Sequence, residues 1–315
     1  MSLAMGTRPA AIVDAHHHLW DLGRGGYPWL QQDYDPAAFH LGDYEPLRRN
    51  FGPAEYRSLW QGLPLAATVH VEAERDRKES LAETAWLHEI HAAHGFPNAV
   101  VAHVDFASPE ADEQLAQHAA YALVRGIRCK PVTSANSGGS VRGQPGSLQD
   151  ERWLAGLALL EKHGLSWDLR VPFWHLEEAA AVVHQLPALA VVLEHAGLPW
   201  DRSEAGLARW RKGMEALARH DQVHVKLSEF GLRHAPWNDD ENTAVIRDTI
   251  AIFGWQRCMF ASNMPVAGLR IGLPELVDTM AGALKDLSET AQRAIWHDNA
   301  GRFYRMPEFM GFDKN

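Results

Sequence analysis

Eight short apolar runs, most of them carrying β-branched residues, alternate with helix-like segments along this chain. That alternation restricts the fold more than any other feature. The runs cover residues 11–16, 65–71, 99–106, 126–130, 165–171, 190–195, 223–227 and 258–262. Most are followed by segments with apolar residues at three-to-four spacing, the mark of a helix with one buried face. Residues 77–93, with Leu81, Ala85, Leu87 and Ile90, are the first, followed by 111–123, 152–163, 176–185, 204–219, 241–253 and 274–284. Strands buried on both faces and joined through helices lie parallel. Eight repetitions predict a (β/α)8 (TIM) barrel, whereas an open doubly wound sheet shows the same alternation with fewer strands. No Gly-x-Gly-x-x-Gly follows any run, so the dinucleotide-binding version of the open sheet has no support.

A barrel of this kind needs about 250 residues plus insertions. At 315 residues and 46% hydrophobic content the chain suits one domain over residues 1–315. A net charge of -10 argues against nucleic acid and anionic membrane surfaces, which call for basic patches. Cys129 and Cys258 are the two cysteines; each sits in an apolar run, which fits a reducing compartment. No run reaches the roughly 18 apolar residues of a membrane span, and residues 1–10 lack the apolar stretch of a signal peptide. The expectation is a cytoplasmic protein acting on a small molecule, with a homodimer as its assembly. There is no internal repeat and no low-complexity tract.

Two segments exceed the minimal alternation. Residues 21–64, with Trp29, Phe39, Tyr44, Tyr56 and Trp60, form a long insertion after the first strand, and the aromatic content predicts a packed lid. Residues 133–149, rich in Gly and Ser and carrying Arg142, follow the fourth strand. In a barrel both lie on the face where sites are built from strand-to-helix loops; the second is equally a plain loop or a substrate gate.

Polar residues collect where the strands end. The first runs into His16-His17-His18, and alternation along a strand puts His16 and His18 on one face and His17 on the other. The second ends His70-Val71-Glu72, the fourth Arg128-Cys129-Lys130 and the sixth Glu194-His195. The seventh reads Lys226-Leu227-Ser228-Glu229 and the eighth Ser262-Asn263-Met264-Pro265. Each alone has a structural explanation, such as an ion pair between Lys130 and Glu72 or a capping serine. Their convergence on one barrel mouth points instead to a site, because buried charges are paired or functional. His16, His18 and His195 have the ligand chemistry for one zinc ion with a position left for water. Without a metal, the same imidazoles can hydrogen-bond a carbonyl oxygen as it gains charge. Arg128, Lys130 and Arg142 are candidates to hold a substrate carboxylate.

These motifs together resemble the amidohydrolase superfamily, in its amidohydrolase-2 branch of sugar lactonases and dicarboxylate lactonases. The resemblance runs from Asp14-Ala15-His16-His17-His18-Leu19-Trp20 and Tyr27-Pro28-Trp29-Leu30 through Val69-His70-Val71-Glu72-Ala73 and Arg125-Gly126-Ile127-Arg128. It continues in Leu193-Glu194-His195-Ala196-Gly197-Leu198-Pro199 and Val225-Lys226-Leu227-Ser228, and closes with Asn299-Ala300-Gly301-Arg302-Phe303-Tyr304. Each motif is weak by itself; their order and spacing are specific. The resemblance implies a (β/α)8 barrel that opens a lactone, with the family's histidine pair at His16 and His18 and its later histidine at His195. Some relatives hold a divalent ion and others work without one.

In one place the chain departs from that pattern. The family's eighth strand ends in a Ser-Asp-Trp-Pro-like motif whose aspartate activates water, and here Asn263 stands at that position. A carboxamide is no base near pH 7. Another base, with Glu72, Glu229 or His195 as candidates, restores the hydrolysis of a small sugar-acid or carboxylated lactone, and Asn263 then orients water or substrate. The alternatives are a decarboxylase or hydratase on the same scaffold, or an inert ligand-binding barrel. Lys130 is read as an ammonium facing a carboxylate rather than as a carboxylated metal bridge, and Lys226 as part of the supporting structure.

Overall fold

The computed structural model describes residues 8–307. Its eight strands are β1 (Ile12–His17), β2 (Leu65–Val71), β3 (Ala99–Ala102), β4 (Val124–Ile127), β5 (Ser166–Leu169), β6 (Val191–Leu193), β7 (Val223–Leu227) and β8 (Cys258–Phe260). They form one sheet in chain order, every neighbouring pair parallel. The sheet curls until β1 meets β8. There the last residues of β1 meet the segment after β8: His17 bridges Met264, while Asn263 N donates to His16 O at 2.7 Å and His18 N to Met264 O at 2.9 Å. This is the (β/α)8 barrel expected from the alternation.

The insertion after β1 carries a single-turn helix, α1 (Pro28–Gln31), and ends in α2 (Pro53–Leu59), the first crossover helix. The other crossovers are α3 (Ser80–His94), α4 (Ala111–Ala119), α5 (Glu151–Lys162), α6 (Leu176–Gln185), α7 (Glu204–Ala218) and α8 (Asp239–Phe253), with α9 (Leu273–Leu284) after β8. Several start where a polar side chain satisfies a free backbone N–H: Asp150 caps α5, Ser203 α7 and Asn238 α8. The buried face of α3 consists of Glu83, Thr84, Trp86 and Leu87. It is rotated from the face expected in the sequence, because Glu83 turns inward to accept the Ala73 N–H at 3.0 Å. Helix α5 sits so close to the segment after β3 that a Cβ at Gly156 would overlap the backbone carbonyl of Phe106.

Inside the barrel, small and β-branched side chains (Val13, Ala15, Ala67, Val69, Ala99, Val101, Ala261) pack with Ala300, Phe303, Tyr304 and Met306. These last residues follow α10 (Glu289–Arg293) and a π turn, in and just after α11 (Asn299–Phe303). They plug the end from which the strands start, and Arg305 donates there to Gly164 O and Arg125 O. The closing motif of the sequence is therefore the floor of the barrel. With that end filled, a site can form only at the other.

Most strands are shorter than the apolar runs suggested, and each stops where the polar residues begin. The backbone beyond the last ladder rung remains tied. Glu72 N donates to Val101 O, Arg128 N to Ala102 O and Glu194 N to Leu169 O, all at 2.8–2.9 Å. The polar side chains thus start from fixed points on the rim. Among the described residues no helix is long and apolar enough to cross a membrane.

Candidate active site

A cavity of about 280 Å³ opens at the C-terminal end of the barrel. Strand ends supply His18, Ala73, Glu74, Arg128, Lys130, Arg170, His195, Trp200, Asn263 and Val266 to its lining; the insertion after β1 supplies Trp29, Ala38, Phe39 and His40. The insertion is a packed cover, as its aromatic content predicted. Trp29 stacks on Phe39 with ring centroids 5.9 Å apart, and the Trp29 indole donates to Ala73 O at 3.0 Å.

The β1 histidines divide as alternation requires. His17 leaves the mouth, stacking on Tyr56 at 4.1 Å with its Nε2 3.0 Å from Thr68 Oγ1. His16 and His18 face inward with their Nε2 atoms 3.2 Å apart. Asp14 secures this end of β1. It accepts Ser262 N at 2.7 Å, Ser262 Oγ at 2.6 Å and the Tyr56 hydroxyl at 2.7 Å, joining β1 to the end of β8 and to α2.

Protonation follows from these contacts. Burial, helped by neighbouring positive charge, holds His16, His18 and His195 well below the ordinary histidine value, so all three are neutral at pH 7. His18 Nδ1 must donate to Val71 O, 2.7 Å away, because a carbonyl only accepts. Its Nε2 is then a bare acceptor, and His16 must donate from Nε2. That leaves a lone pair on His16 Nδ1, 3.3 Å from Glu194 Oε1, which has no hydrogen-bond partner among the described residues. Two electron pairs thus converge with no proton between them, and the Lys226 ammonium stands 3.4 Å and 3.9 Å from the two atoms.

Positive charge below and beside this point is firmly held. Lys226 is fully buried and donates to Asp168 Oδ2 at 2.6 Å, which also accepts the Tyr304 hydroxyl at 2.7 Å. Arg128 reaches Glu72 Oε1 at 2.8 Å through Nε and Glu194 Oε2 at 3.2 Å through Nη1. Glu72 also accepts Arg77 at 2.8 Å. Arg128 and Arg77 hold its carboxyl well below the usual range although burial pushes the other way. Glu72 is therefore a locked counter-ion, absent from the cavity wall, and a poor base. Lys130 lines the cavity and pairs with Glu74, not Glu72. Arg142 is exposed on its loop and contributes nothing to the lining. The loop folds back on itself and on His175, whose Nε2 accepts Ser134 N at 3.0 Å.

Asn263 lines the cavity and donates through Nδ2 to Glu229 Oε2. Three polar atoms there have no partner among the described residues: Asn263 Oδ1, Glu229 Oε1, and His40 Nε2 at 3.8 Å from Glu229 Oε1. Asn263, Glu229 and His195 all adopt left-handed backbone, with φ of 52°, 55° and 59°. Such strain in non-glycine residues gathers at functional sites. His195 is oriented by Ser228, whose Oγ lies 2.8 Å from Nδ1.

Sequence reasoning placed Glu194 at the mouth but gave it no role, and it did not name Arg170 or His40. Arg170 directly follows β5, so the rule that polar strand ends mark the mouth would have found it. Nothing periodic marks His40, which arrives from the insertion.

The comparisons with known proteins give the family. The family model described as Amidohydrolase matches residues 13–306. An uncharacterized protein, y4mH, of Sinorhizobium fredii (strain NBRC 101917 / NGR234) is 31% identical, with 94% of this chain and 99% of that one covered. An L-fucono-1,5-lactonase of Burkholderia multivorans is 29% identical, with coverage of 95% and 97%. A crystal structure of an amidohydrolase from Burkholderia multivorans with bound zinc superposes with a TM-score of 0.76 at 26% identity, covering 95% of this chain and 100% of its own. The chain belongs to the amidohydrolase family and is a hydrolytic enzyme.

Proposed function

We propose that this chain hydrolyses a small sugar-acid or carboxylated lactone, with water attacking the ring carbonyl. The observation that carries the reading is the meeting, at one cavity, of neutral imidazoles with an Asn263–Glu229 pair whose free oxygens have no partner. A neutral imidazole can accept a proton or polarise a carbonyl; a buried carboxylate beside a water site can remove a proton. The shared length with a lactonase relative supports the reaction class.

In this mechanism a water sits against Asn263 Oδ1 and Glu229 Oε1, the two acceptors that lack donors. Buried water needs two or more such polar partners. Glu229 takes the proton as the water attacks, and Asn263 holds the carboxylate in place through its amide. The missing aspartate is replaced by a carboxylate from the neighbouring strand. His195, oriented by Ser228, faces the carbonyl or the leaving alkoxide. Trp29, Phe39 and Trp200 offer apolar faces to the ring.

The site fits one divalent ion. His16, Glu194 and His195 bring ligand atoms within 4.8 Å of one another, and Glu194 Oε1 is a buried oxygen without a hydrogen bond. Glu194 completes this compact set where His18 had been expected; His18 Nε2 stands next to it. When bound, zinc would polarise the carbonyl and acidify water. Lys226 and Arg128 oppose a second positive charge here, so weak retention is expected.

The test is a proton-release screen of purified protein with sugar γ-lactones and carboxylated lactones, with and without zinc, followed by product analysis. Ring-opened acid is the expected product, lost in His195→Asn. Release of CO₂ from a carboxylated substrate would instead favour decarboxylation. Saturable binding with no product from any substrate would favour the inert barrel.

A further inference from the structure

Three cations line the cavity, and two are already neutralised: Arg128 by Glu72 and Glu194, Lys130 by Glu74. Arg170 is the exception. It makes no hydrogen bond and no ion pair with any described residue, although it sits on the cavity wall and is largely removed from bulk water. A guanidinium carries five N–H donors and cannot shed its charge. Leaving it without a counter-ion in such a place costs stability unless a ligand supplies one. Burial and the nearby Arg128 both disfavour its charged form, while Glu194, Glu229 and Glu72 act on it only from beyond contact distance.

We propose that Arg170 is the anchor for a carboxylate on the substrate, and that this contact selects carboxylate-bearing lactones over neutral ones. The inference rests on the lactone-hydrolase reading for the reaction but not for the anion contact. A planar fork that no protein group occupies matches a carboxylate in bidentate fashion. Lys130 stands on the same wall but is matched by Glu74, so the unmatched positive charge there is that of Arg170. Behind the cavity wall, bonded to the amide of the lining residue Asn263 and 3.8 Å from His40 Nε2, stands a buried carboxylate with no Lys or Arg partner among the described residues, Glu229. A substrate carboxylate is repelled by Glu229 and drawn to Arg170. That pair of unmatched charges orients the ring, sending its carboxylate to Arg170 and leaving the carbonyl for the water beside Glu229.

The experiment compares wild type, Arg170→Met and Arg170→Lys on matched lactones with and without a ring carboxylate. Calorimetric binding of cyclopentane-1,2-dicarboxylate, which has no ester bond to cleave, gives a second readout. Wild type is expected to favour the carboxylated lactone by about tenfold or more in kcat/KM, in line with one charge-assisted hydrogen-bonded contact. In Arg170→Met that ratio falls towards one, mainly through KM, and dicarboxylate affinity drops by about tenfold or more. Arg170→Lys lies between, since a point charge keeps attraction but loses the fork. An unchanged ratio in Arg170→Met, or a wild type that favours the neutral lactone, overturns the anchor while leaving lactone hydrolysis intact. A fall in kcat on both substrates alike would make Arg170 a stabiliser of the reacting carbonyl and overturn the anchor too. If no lactone turns over yet dicarboxylate binding still depends on Arg170, the anchor stands and the lactone reading fails. Should Arg170→Met not fold, the Lys variant and the binding readout decide.

Discussion

Asn263 gives its amide hydrogen to Glu229, and the carboxylate oxygen left over makes no hydrogen bond among the described residues, its nearest candidate donor being His40 Nε2 at 3.8 Å. A side chain that cannot act as a base is thus coupled to one that can. The departure of the eighth strand from the family's pattern and the burial of Glu229 beside it become one fact.

Removing the carboxylate should stop the chemistry without emptying the site. Glu229→Gln is expected to lower kcat by about 10²- to 10⁴-fold, the usual worth of a general base, with a small change in KM. Asn263→Asp should also lose activity, because it sets two carboxylates against each other and removes the donor. Steady-state lactone hydrolysis measures both. A gain of activity in Asn263→Asp would show that Glu229 is not the base.

Glu72 behaves differently. Held by Arg128 and Arg77, it should reveal itself in stability. Glu72→Gln leaves Arg128 short of a buried counter-charge and is expected to cost about 3 kcal/mol in urea unfolding. Full stability combined with a large loss of kcat would return Glu72 to the list of bases.

Zinc should bind weakly for a hydrolase site. Lys226 stands 3.4 Å from His16 Nδ1, and Arg128 shares Glu194, so two cations already serve these donors. Protein dialysed free of excess metal is expected to retain less than one equivalent by elemental analysis. Added zinc should bind wild type more tightly than Glu194→Gln, as read by calorimetry. One tightly held equivalent after dialysis would contradict this.

Acid should destabilise the fold well above the usual carboxylate range. His16, His17, His18, His70 and His195 are all held below their ordinary value by burial, His70 at about 3. The unfolded chain therefore binds more protons than the native state once pH falls past the unfolded value of about 6.5, and stability drops. At pH 5.5 each such histidine costs about 1.4 kcal/mol. Glu83, pushed up to about 7 by burial, takes a proton in the same window and works in the opposite sense; Asp14 and Asp168, also raised by burial, act in the same sense as Glu83. The histidines prevail by number, and Tm is expected to fall between pH 7.5 and pH 5.5. A rise in Tm over that interval would mean that the carboxyls dominate.

The sequence by itself pointed to the barrel: apolar runs buried on both faces and followed by amphipathic helices lie parallel, and their number, eight, favoured a closed barrel over an open sheet of fewer strands. It also determined that His16 and His18 share a face opposite to His17, which needs only the two-residue period of a strand; that this face turns inward was set by the irregularity between Asp14 and His17, since Val13 and Ala15 already point into the barrel. The identity of the partners was beyond it. That Lys130 meets Glu74, that Glu72 is locked by Arg128 and Arg77, and that Arg142 stays outside depends on how side chains from separate strand ends pack on one rim. Local pattern holds no information about those distances. The same holds for His40, carried to the cavity by an insertion without periodicity, and for Glu194, whose free oxygen exists only because Arg128 takes the other one. Electrostatic function at this site comes from which charges are matched and which are left over, and only the tertiary structure decides that Arg170 and Glu229 are the two left over.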